Sequence, residues 1–174
     1  MRLARAQPRA LVVGIDADAG AMRERSAAAA RPADRGGLPN ALFVAAGAEH
    51  LPSDLEAFAD EVRVTLPWGS LLRGAIAPEA WFVDLLLRLL RPGGRAELVL
   101  STGPREAATG IPALDARATD ALASAYARAG LRPLGVAPLT AADVAGLGSS
   151  WARRLGIPDR RAAWRLVLQV CRIP

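Results

Sequence analysis

Lysine is absent from this 174-residue chain, although its formal net charge is +5 at pH 7. The 22 basic residues are therefore all arginines, set against 17 acidic residues. Planar guanidinium groups match the geometry of phosphate oxygens, so this charge suits a phosphate-bearing partner. The heavy use of alanine, arginine and glycine also points to a GC-rich genome, and charge alone is therefore weak evidence for nucleic-acid binding.

Cysteine and long apolar runs are also scarce, and each scarcity excludes a class of protein. The single cysteine, Cys171, cannot form an internal disulfide, which favours a reducing compartment. No apolar run has the length of a membrane span, and the first five residues lack the apolar core of a secretory signal. We therefore expect a cytoplasmic protein. We also expect it to have no metal site and to act as a monomer.

Hydrophobic content and periodicity predict one α/β domain spanning residues 1–174. The 52% of hydrophobic residues can form a sizeable core, and strand patterns alternate with helix patterns along the chain. Such alternation predicts a parallel sheet with helices on both faces. Predicted strands cover 11–16, 41–47, 61–66, 96–100, 131–137 and 162–172, and predicted helices cover 17–30, 51–59, 78–90 and 115–129.

One stretch, Leu66-Pro67-Trp68-Gly69-Ser70-Leu71-Leu72, puts a tryptophan directly after a predicted strand. Pro67 ends the strand and Gly69 permits unusual dihedral angles, so Trp68 falls on a loop at the carboxyl end of the sheet. Open α/β sheets bind their ligands at that end. Two interpretations remain open for Trp68, a ligand contact or ordinary packing of a buried aromatic ring.

Acidic residues follow the first two predicted strands at the same end. Asp16 ends the run that starts at Leu11, and it could either accept hydrogen bonds from the ribose hydroxyls of a nucleotide cofactor or cap the following helix. Ala48 and Glu49 follow the second strand, where the base of such a cofactor would lie. A solvated surface acid is the alternative for Glu49.

A second tryptophan lies among arginines between the last two predicted strands. Trp151 is followed by Arg153 and Arg154, with Arg160 and Arg161 just beyond. Aromatic faces stack on unpaired bases while guanidinium groups bind the flanking phosphates, which suits RNA. A linker tryptophan that is folded back onto the core is the alternative. Trp81 and Trp164 instead recur in phase with leucines and are predicted to be buried.

Four stretches of this chain are similar to aminoglycoside-resistance methyltransferases that modify the N1 atom of adenine 1408 in 16S ribosomal RNA. They are Val13-Gly14-Ile15-Asp16-Ala17, Ala48-Glu49, Leu66 to Leu72 as given above, and Ser149-Ser150-Trp151-Ala152-Arg153-Arg154-Leu155. The loop Arg35-Gly36-Gly37-Leu38-Pro39-Asn40 is similar too. The resemblance extends over essentially the whole chain, and the two tryptophan stretches together are more specific than either alone.

This resemblance implies a Rossmann-like class I methyltransferase that uses S-adenosylmethionine and acts on the 30S ribosomal subunit. Trp68 and Trp151 would hold the flipped target adenine between two aromatic faces. The cofactor-binding residues would be Asp16, Ala48, Glu49, Pro67, Ser70 and Ser149. The RNA-binding residues would be Arg31, Arg35, Arg153, Arg154, Arg160 and Arg161.

The chain departs from the family pattern at its start, because no first strand with a glycine-rich loop precedes the strand that ends at Asp16. That strand normally lies at the sheet centre and contacts the methionine part of the cofactor. We therefore expect a split sheet and weak cofactor binding. A cofactor-deficient protein that still binds RNA and a different S-adenosylmethionine-dependent methyltransferase are the alternatives; a nicotinamide-dependent dehydrogenase leaves both tryptophans without a role.

Overall fold

The computed structural model describes residues 1–171, apart from the side chain of Ser150, and they form two compact units. The first unit is Met1–Leu51 and the second begins at Pro52. One domain over residues 1–174 stays a prediction. The first unit contains α1 (Arg2–Ala6), β1 (Val12–Asp16), α2 (Ala19–Ala29) and β2 (Ala41–Ala45). The second contains β3 (Ala59–Thr65), α3 (Gly69–Ile76), α4 (Ala80–Leu89), β4 (Leu90–Leu100), α5 (Pro104–Ala107), α6 (Ala116–Arg128), β5 (Leu131–Pro138), α7 (Ala141–Leu147), α8 (Ser150–Leu155) and β6 (Trp164–Val170).

In the first unit, β1 and β2 form a two-stranded parallel sheet. Gly14 of β1 lies opposite Phe43, whose ring occupies the space that a side chain at Gly14 would need. The side-chain amide of Asn40 donates to the carbonyl oxygens of Ala4 and Ala10, which fixes the segment containing α1 against the start of the sheet. The apolar pattern of residues 11–16 thus gives a short strand that ends at Asp16.

In the second unit, four strands are arranged in the order β3-β4-β6-β5. β3 and β4 are parallel, but β6 runs antiparallel to both β4 and β5. The α/β class and its agreement with the methyltransferase fold are confirmed, whereas the expectation of an all-parallel sheet is wrong.

The antiparallel strand has a physical cause in the short helices that precede it. A parallel crossover must run the length of the sheet, about 23 Å for a seven-residue strand. The seven residues of α7 span only about 10 Å, and Gly148 then breaks the helix, so the chain turns back at the end it has reached. The segment between Pro138 and Trp164 therefore lies at the carboxyl edge of β3, β4 and β5.

The expected split of the sheet is also observed. Within residues 1–171, β1 pairs only with β2, and β3 pairs only with β4. The predicted helix at 51–59 is wrong, because only a 3-10 turn at Ser53–Leu55 forms before β3 begins. None of the helices in the described residues has the length and apolar character that crossing a bilayer requires.

Two tryptophans predicted to be buried are half-buried in the structure. The indole Nε1 of Trp81 donates to Glu79, and its ring packs edge-on against Phe82 beside Gly74 of α3. Trp164 donates to the carbonyl oxygen of Leu114. Each ring keeps its polar edge satisfied near the surface, which explains why neither is fully enclosed.

Candidate functional site

Trp68 stands on a sharply bent turn at the carboxyl end of β3. Leu66 has φ of 51°, a left-handed conformation that is unfavourable for a leucine, yet its side chain is buried and its N–H donates to Val99 at 2.8 Å. Gly69 also has positive φ, at 63°, and no atom lies within 4 Å of a Cβ placed there. Between these two residues the chain presents Trp68 with 76% of its surface exposed.

Trp151 lies in the connection between β5 and β6, at the same edge of the sheet. Gly148 ends α7 in a left-handed conformation, and Ser149 begins α8, its Oγ accepting from the N–H of Ala152 at 3.2 Å. Ala152 is fully buried, whereas the neighbouring Trp151 is 40% exposed. The short helix therefore anchors itself through Ala152 and leaves the indole accessible.

One hydrophobic cluster underlies both tryptophan-bearing turns. Leu66, two residues before Trp68, packs in the same buried cluster as Val144 and Ala152. Val99 of β4 forms part of the base, and Leu147 and Leu155 pack against the side of the cluster. The two exposed indoles thus project from a shared core at one sheet edge; whether they also face one cavity stays a prediction.

Asp143 links the start of the connection that carries Trp151, between β5 and β6, to the sheet, and its two carboxylate oxygens have different partners. Asp143 Oδ2 accepts from the Thr140 N–H and hydroxyl at 2.9 and 2.7 Å, while Oδ1 lies 3.2 Å from Arg165 Nη2. The hydrogen bond from the Thr140 hydroxyl, then that from its N–H and the charge of Arg165, lower the pKa of the Asp143 carboxyl. At neutral pH the carboxylate is ionised and links α7 to β6.

Arg161 holds the other end of this segment. Its Nε donates to Ser101 Oγ at 2.8 Å, its Nη2 donates to the Ser101 carbonyl at 2.7 Å, and Glu106 lies 3.2 Å away. Arg161 has 13% of its side chain exposed and is engaged by these three contacts, and its binding to RNA stays a prediction. Partial burial raises the pKa of Glu106, but hydrogen bonds from backbone N–H groups and the charge of Arg161 outweigh it and lower that pKa.

The remaining predicted RNA-binding arginines are exposed. Arg153 and Arg154 are exposed on α8, and Arg160 is exposed just before Arg161. In the first unit, Arg31 and Arg35 are exposed around a 3-10 turn at Ala33–Arg35. These five side chains are accessible to phosphates, and their common binding surface stays a prediction.

In the first unit, Asp16 is an exposed carboxylate at the carboxyl end of β1. Its Oδ1 accepts from the N–H of Asp18 at 3.0 Å, which orients the group. The cap of α2 is Asp18, whose Oδ1 accepts from Ala21 at 2.9 Å, so the interpretation of Asp16 as the helix cap is wrong. An exposed acceptor at a strand end matches the needs of ribose hydroxyls.

The other predicted cofactor residues lie on turns at strand ends. Ala48 and Glu49 lie in a 3-10 turn after β2, and Glu49 Oε2 approaches to 3.3 Å of the position that a Cβ on Gly47 would take. Pro67 is half-buried beside Trp68, and Ser70 is exposed in the first turn of α3. Their contacts with a cofactor stay predictions.

Comparison with known proteins then decides the family. A sequence profile described as NpmA, 16S rRNA (adenine(1408)-N(1))-methyltransferase, matches residues 1–170. The chain belongs to this methyltransferase family.

Relatives support this assignment in sequence and in structure. A curated 16S rRNA (adenine(1408)-N(1))-methyltransferase from Streptoalloteichus tenebrarius is 37% identical over 160 residues, covering 88% of this chain and 73% of the relative. The Escherichia coli family member is 30% identical, covering 76% of this chain and 64% of the relative. A crystal structure of a mutant of the Catenulisporales acidiphilia enzyme with cosubstrate SAM has a TM-score of 0.86 at 32% identity and covers 99% of this chain and 81% of its own.

Sequence patterns did not reveal the residues that hold this methyltransferase edge together. The Asp143 and Arg165 pair, the Arg161 anchor and the left-handed Leu66 have no local signature. Only the sequence Thr140-Ala141-Ala142-Asp143 carries a usable signal, because a threonine followed three residues later by an acidic residue is typical of a helix start.

Proposed function

We propose that this protein transfers a methyl group from S-adenosylmethionine to N1 of adenine 1408 in 16S rRNA of the 30S subunit. The observation that carries the proposal is the pair of exposed indoles, Trp68 and Trp151, projecting from one core at the carboxyl edge of the sheet. An indole face at the protein surface is a platform on which an unpaired base can stack. The family membership identifies the base.

In this proposal Trp68 and Trp151 hold the adenine outside its helix, and Arg153, Arg154 and Arg160 bind neighbouring phosphates. Extruding a base costs a few kcal/mol of stacking, which the two indole faces offset. Arg31 and Arg35 add phosphate contacts in the first unit, where they are exposed. The Arg-only charge of the chain suits this role because each guanidinium can bind two phosphate oxygens.

We propose that residues at the strand ends bind the cofactor. Asp16 would contact the ribose hydroxyls, Ala48 and Glu49 would lie near the adenine, and Pro67 and Ser70 would flank the methionine end. Ser149 is proposed as a further cofactor-binding residue. S-adenosylmethionine supplies an electrophilic methyl group on a sulfonium. Adenine N1 already carries a lone pair, so a bond from N1 to the methyl carbon forms as the bond from sulfur to carbon breaks, and positioning can supply the catalysis without a strong base.

The product explains resistance in chemical terms. Methylation at N1 leaves the adenine cationic, and a cation at the decoding site repels cationic aminoglycosides. We further propose that the protein acts in the cytoplasm, as a monomer that docks on the 30S subunit. Bacteria that produce the chain should therefore become resistant to aminoglycosides that contact this adenine, and a W68A variant produced at the same level should not.

A cofactor-deficient RNA-binding protein is the alternative that one observation favours. Within residues 1–171 no strand lies on the free edge of β1 or of β3, so no glycine-rich turn is presented there for the methionine end. This alternative predicts binding to 30S subunits without methylation and without resistance. Methylation of purified subunits separates the two functions.

A further inference from the structure

We propose that Arg165 and Asp143 are positioning residues that set the orientation of Trp151 for the methyl transfer, an inference that rests on the function proposed above. Neither residue is a sequence neighbour of Trp151. Their effect on the indole instead passes through α7, the break at Gly148 and α8.

Arg165 is placed on the face of the sheet that carries the Trp151 segment. It pairs with Val99 across the β4–β6 ladder, and paired residues share a face. Val99 packs in the cluster with Val144 and Ala152, so the Arg165 guanidinium emerges beside α7. Glu97, two residues before Val99, lies on the same face, and its Oε2 is 3.7 Å from Arg165 Nε.

The geometry of Arg165 shows that it is held by charge at two points. Nη2 lies 3.2 Å from Asp143 Oδ1, whereas Nε is buried without a hydrogen-bond partner, since 3.7 Å to Glu97 exceeds a hydrogen bond. A buried N–H left without an acceptor is unfavourable. The Arg165 side chain thus keeps its ion pair with Asp143 of α7 although its Nε forms no hydrogen bond with Glu97 of β4.

Asp143 transmits this hold to Trp151 through rigid parts. Its other oxygen closes the capping box with Thr140, which fixes the first turn of α7 relative to the end of β5. Val144, next in sequence, is buried in the cluster that also encloses Ala152 and Leu66. A rotation of α7 would therefore move Ala152 against Leu66 and change the orientation of the adjoining Trp151 indole.

The test combines fluorine NMR of the full chain labelled with fluorotryptophan and methylation of 30S subunits. The variants are R165M, which removes the charge, D143N, which keeps an acceptor for the cap but not the charge, and R165K, which can restore the pair. R128M serves as the control, because Arg128 is an exposed residue in the last turn of α6. A W151F variant assigns the Trp151 resonance.

We expect R165M and D143N to shift or split the Trp151 resonance while the Trp81 resonance, from a different helix, stays in place. R165K should restore the single resonance, and R128M should leave it unchanged. Turnover at saturating 30S and cofactor should fall on the order of tenfold to a hundredfold in R165M, with little change in 30S affinity, because misplaced reacting atoms lower kcat.

An unmoved Trp151 resonance in folded R165M and D143N would overturn the positioning role. If R165M does not fold, D143N decides the matter alone. If the unmodified chain methylates no 30S subunits, the proposed function fails, yet the fluorine spectra still test the link between Arg165 and Trp151.

Discussion

At the scale of single residues, the contrast between Arg161 and its neighbours is instructive. All four arginines of this segment look alike in sequence, yet Arg161 binds Ser101 and Glu106 while Arg153, Arg154 and Arg160 are exposed. A guanidinium engaged by a carbonyl, a hydroxyl and a carboxylate has little left to offer a phosphate. Arg153, Arg154 and Arg160 are therefore the most accessible of the four to a phosphate, and the binding of Arg161 to RNA stays a prediction.

The double variant R153E/R154E should flatten the salt dependence of 30S binding. Each phosphate contact releases counterions, so losing two contacts should reduce the slope of log affinity against log salt by about two. The slope can be measured by filter binding at several salt concentrations. R117E/R128E is the matched control, since it reverses two exposed charges on α6; an equal change in that variant would show a general charge effect instead of a binding surface.

At the scale of elements, the Trp151 segment is a connection fastened at both ends. Asp143 joins α7 to β6, and Arg161 joins the last part of the segment to Ser101 at the end of β4 and to Glu106 of α5. Both anchors contain an ionised carboxylate whose pKa is lowered in the folded chain. The order of this edge should therefore depend on pH.

The free energy of unfolding should fall in acid, and protonation of Glu106 should account for part of the fall. Its folded pKa lies below that of the unfolded chain, so the stabilisation is present above the unfolded value of about 4.3 and is lost as pH falls through the folded value. The free energy of unfolding, measured with urea between neutral pH and pH about 3, should decline less steeply in E106Q. D120N, at an exposed position of α6, should retain the full decline. Identical slopes in E106Q and the unmodified chain would remove Glu106 from the account.

The sequence predicted most elements because periodicity reports burial. The apolar run at 11–16 and the alternation at 162–172 gave strands close to β1 and β6, although residue 172 lies outside the described residues. Alternation carries no information on strand direction, so the antiparallel β6 was not predicted. Likewise the left-handed conformation of Leu66 depends on the buried cluster and on the hydrogen bond to Val99, and these partners are distant in sequence.

The candidate site was predicted in part for the same reasons. Trp68 and Trp151 could be singled out because proline, glycine and arginine around them are unusual for core tryptophans, and the structure exposes both. The ion pair between Arg165 and Asp143 could not be predicted from the sequence, because only the pairing of β4 with β6 and the packing of α7 bring these two residues together.

At the scale of the whole molecule, the two sheets bear on cofactor affinity. Residues 1–171 form a two-stranded and a four-stranded sheet, and none of the described strands pairs with the free edge of β1 or of β3. We predict that these 174 residues bind S-adenosylmethionine weakly, because a strand with a glycine-rich turn at such an edge would supply about two hydrogen bonds to charged groups, and binding without them is weaker on the order of a hundredfold or more. Calorimetry should give a Kd near about one millimolar. Micromolar affinity would show that the residues present complete the pocket unaided.

The most direct measurement maps methylation on 16S rRNA after incubating 30S subunits with the chain and saturating S-adenosylmethionine. N1 methylation blocks base pairing, so reverse transcription should stop at adenine 1408. W68A and W151A should each reduce the stop about fivefold to a hundredfold, in line with the stacking energy of one base, while W81F and W164F should retain it. A stop that survives both alanine variants, or methylation at a different nucleotide, would contradict the account of two indoles presenting this adenine.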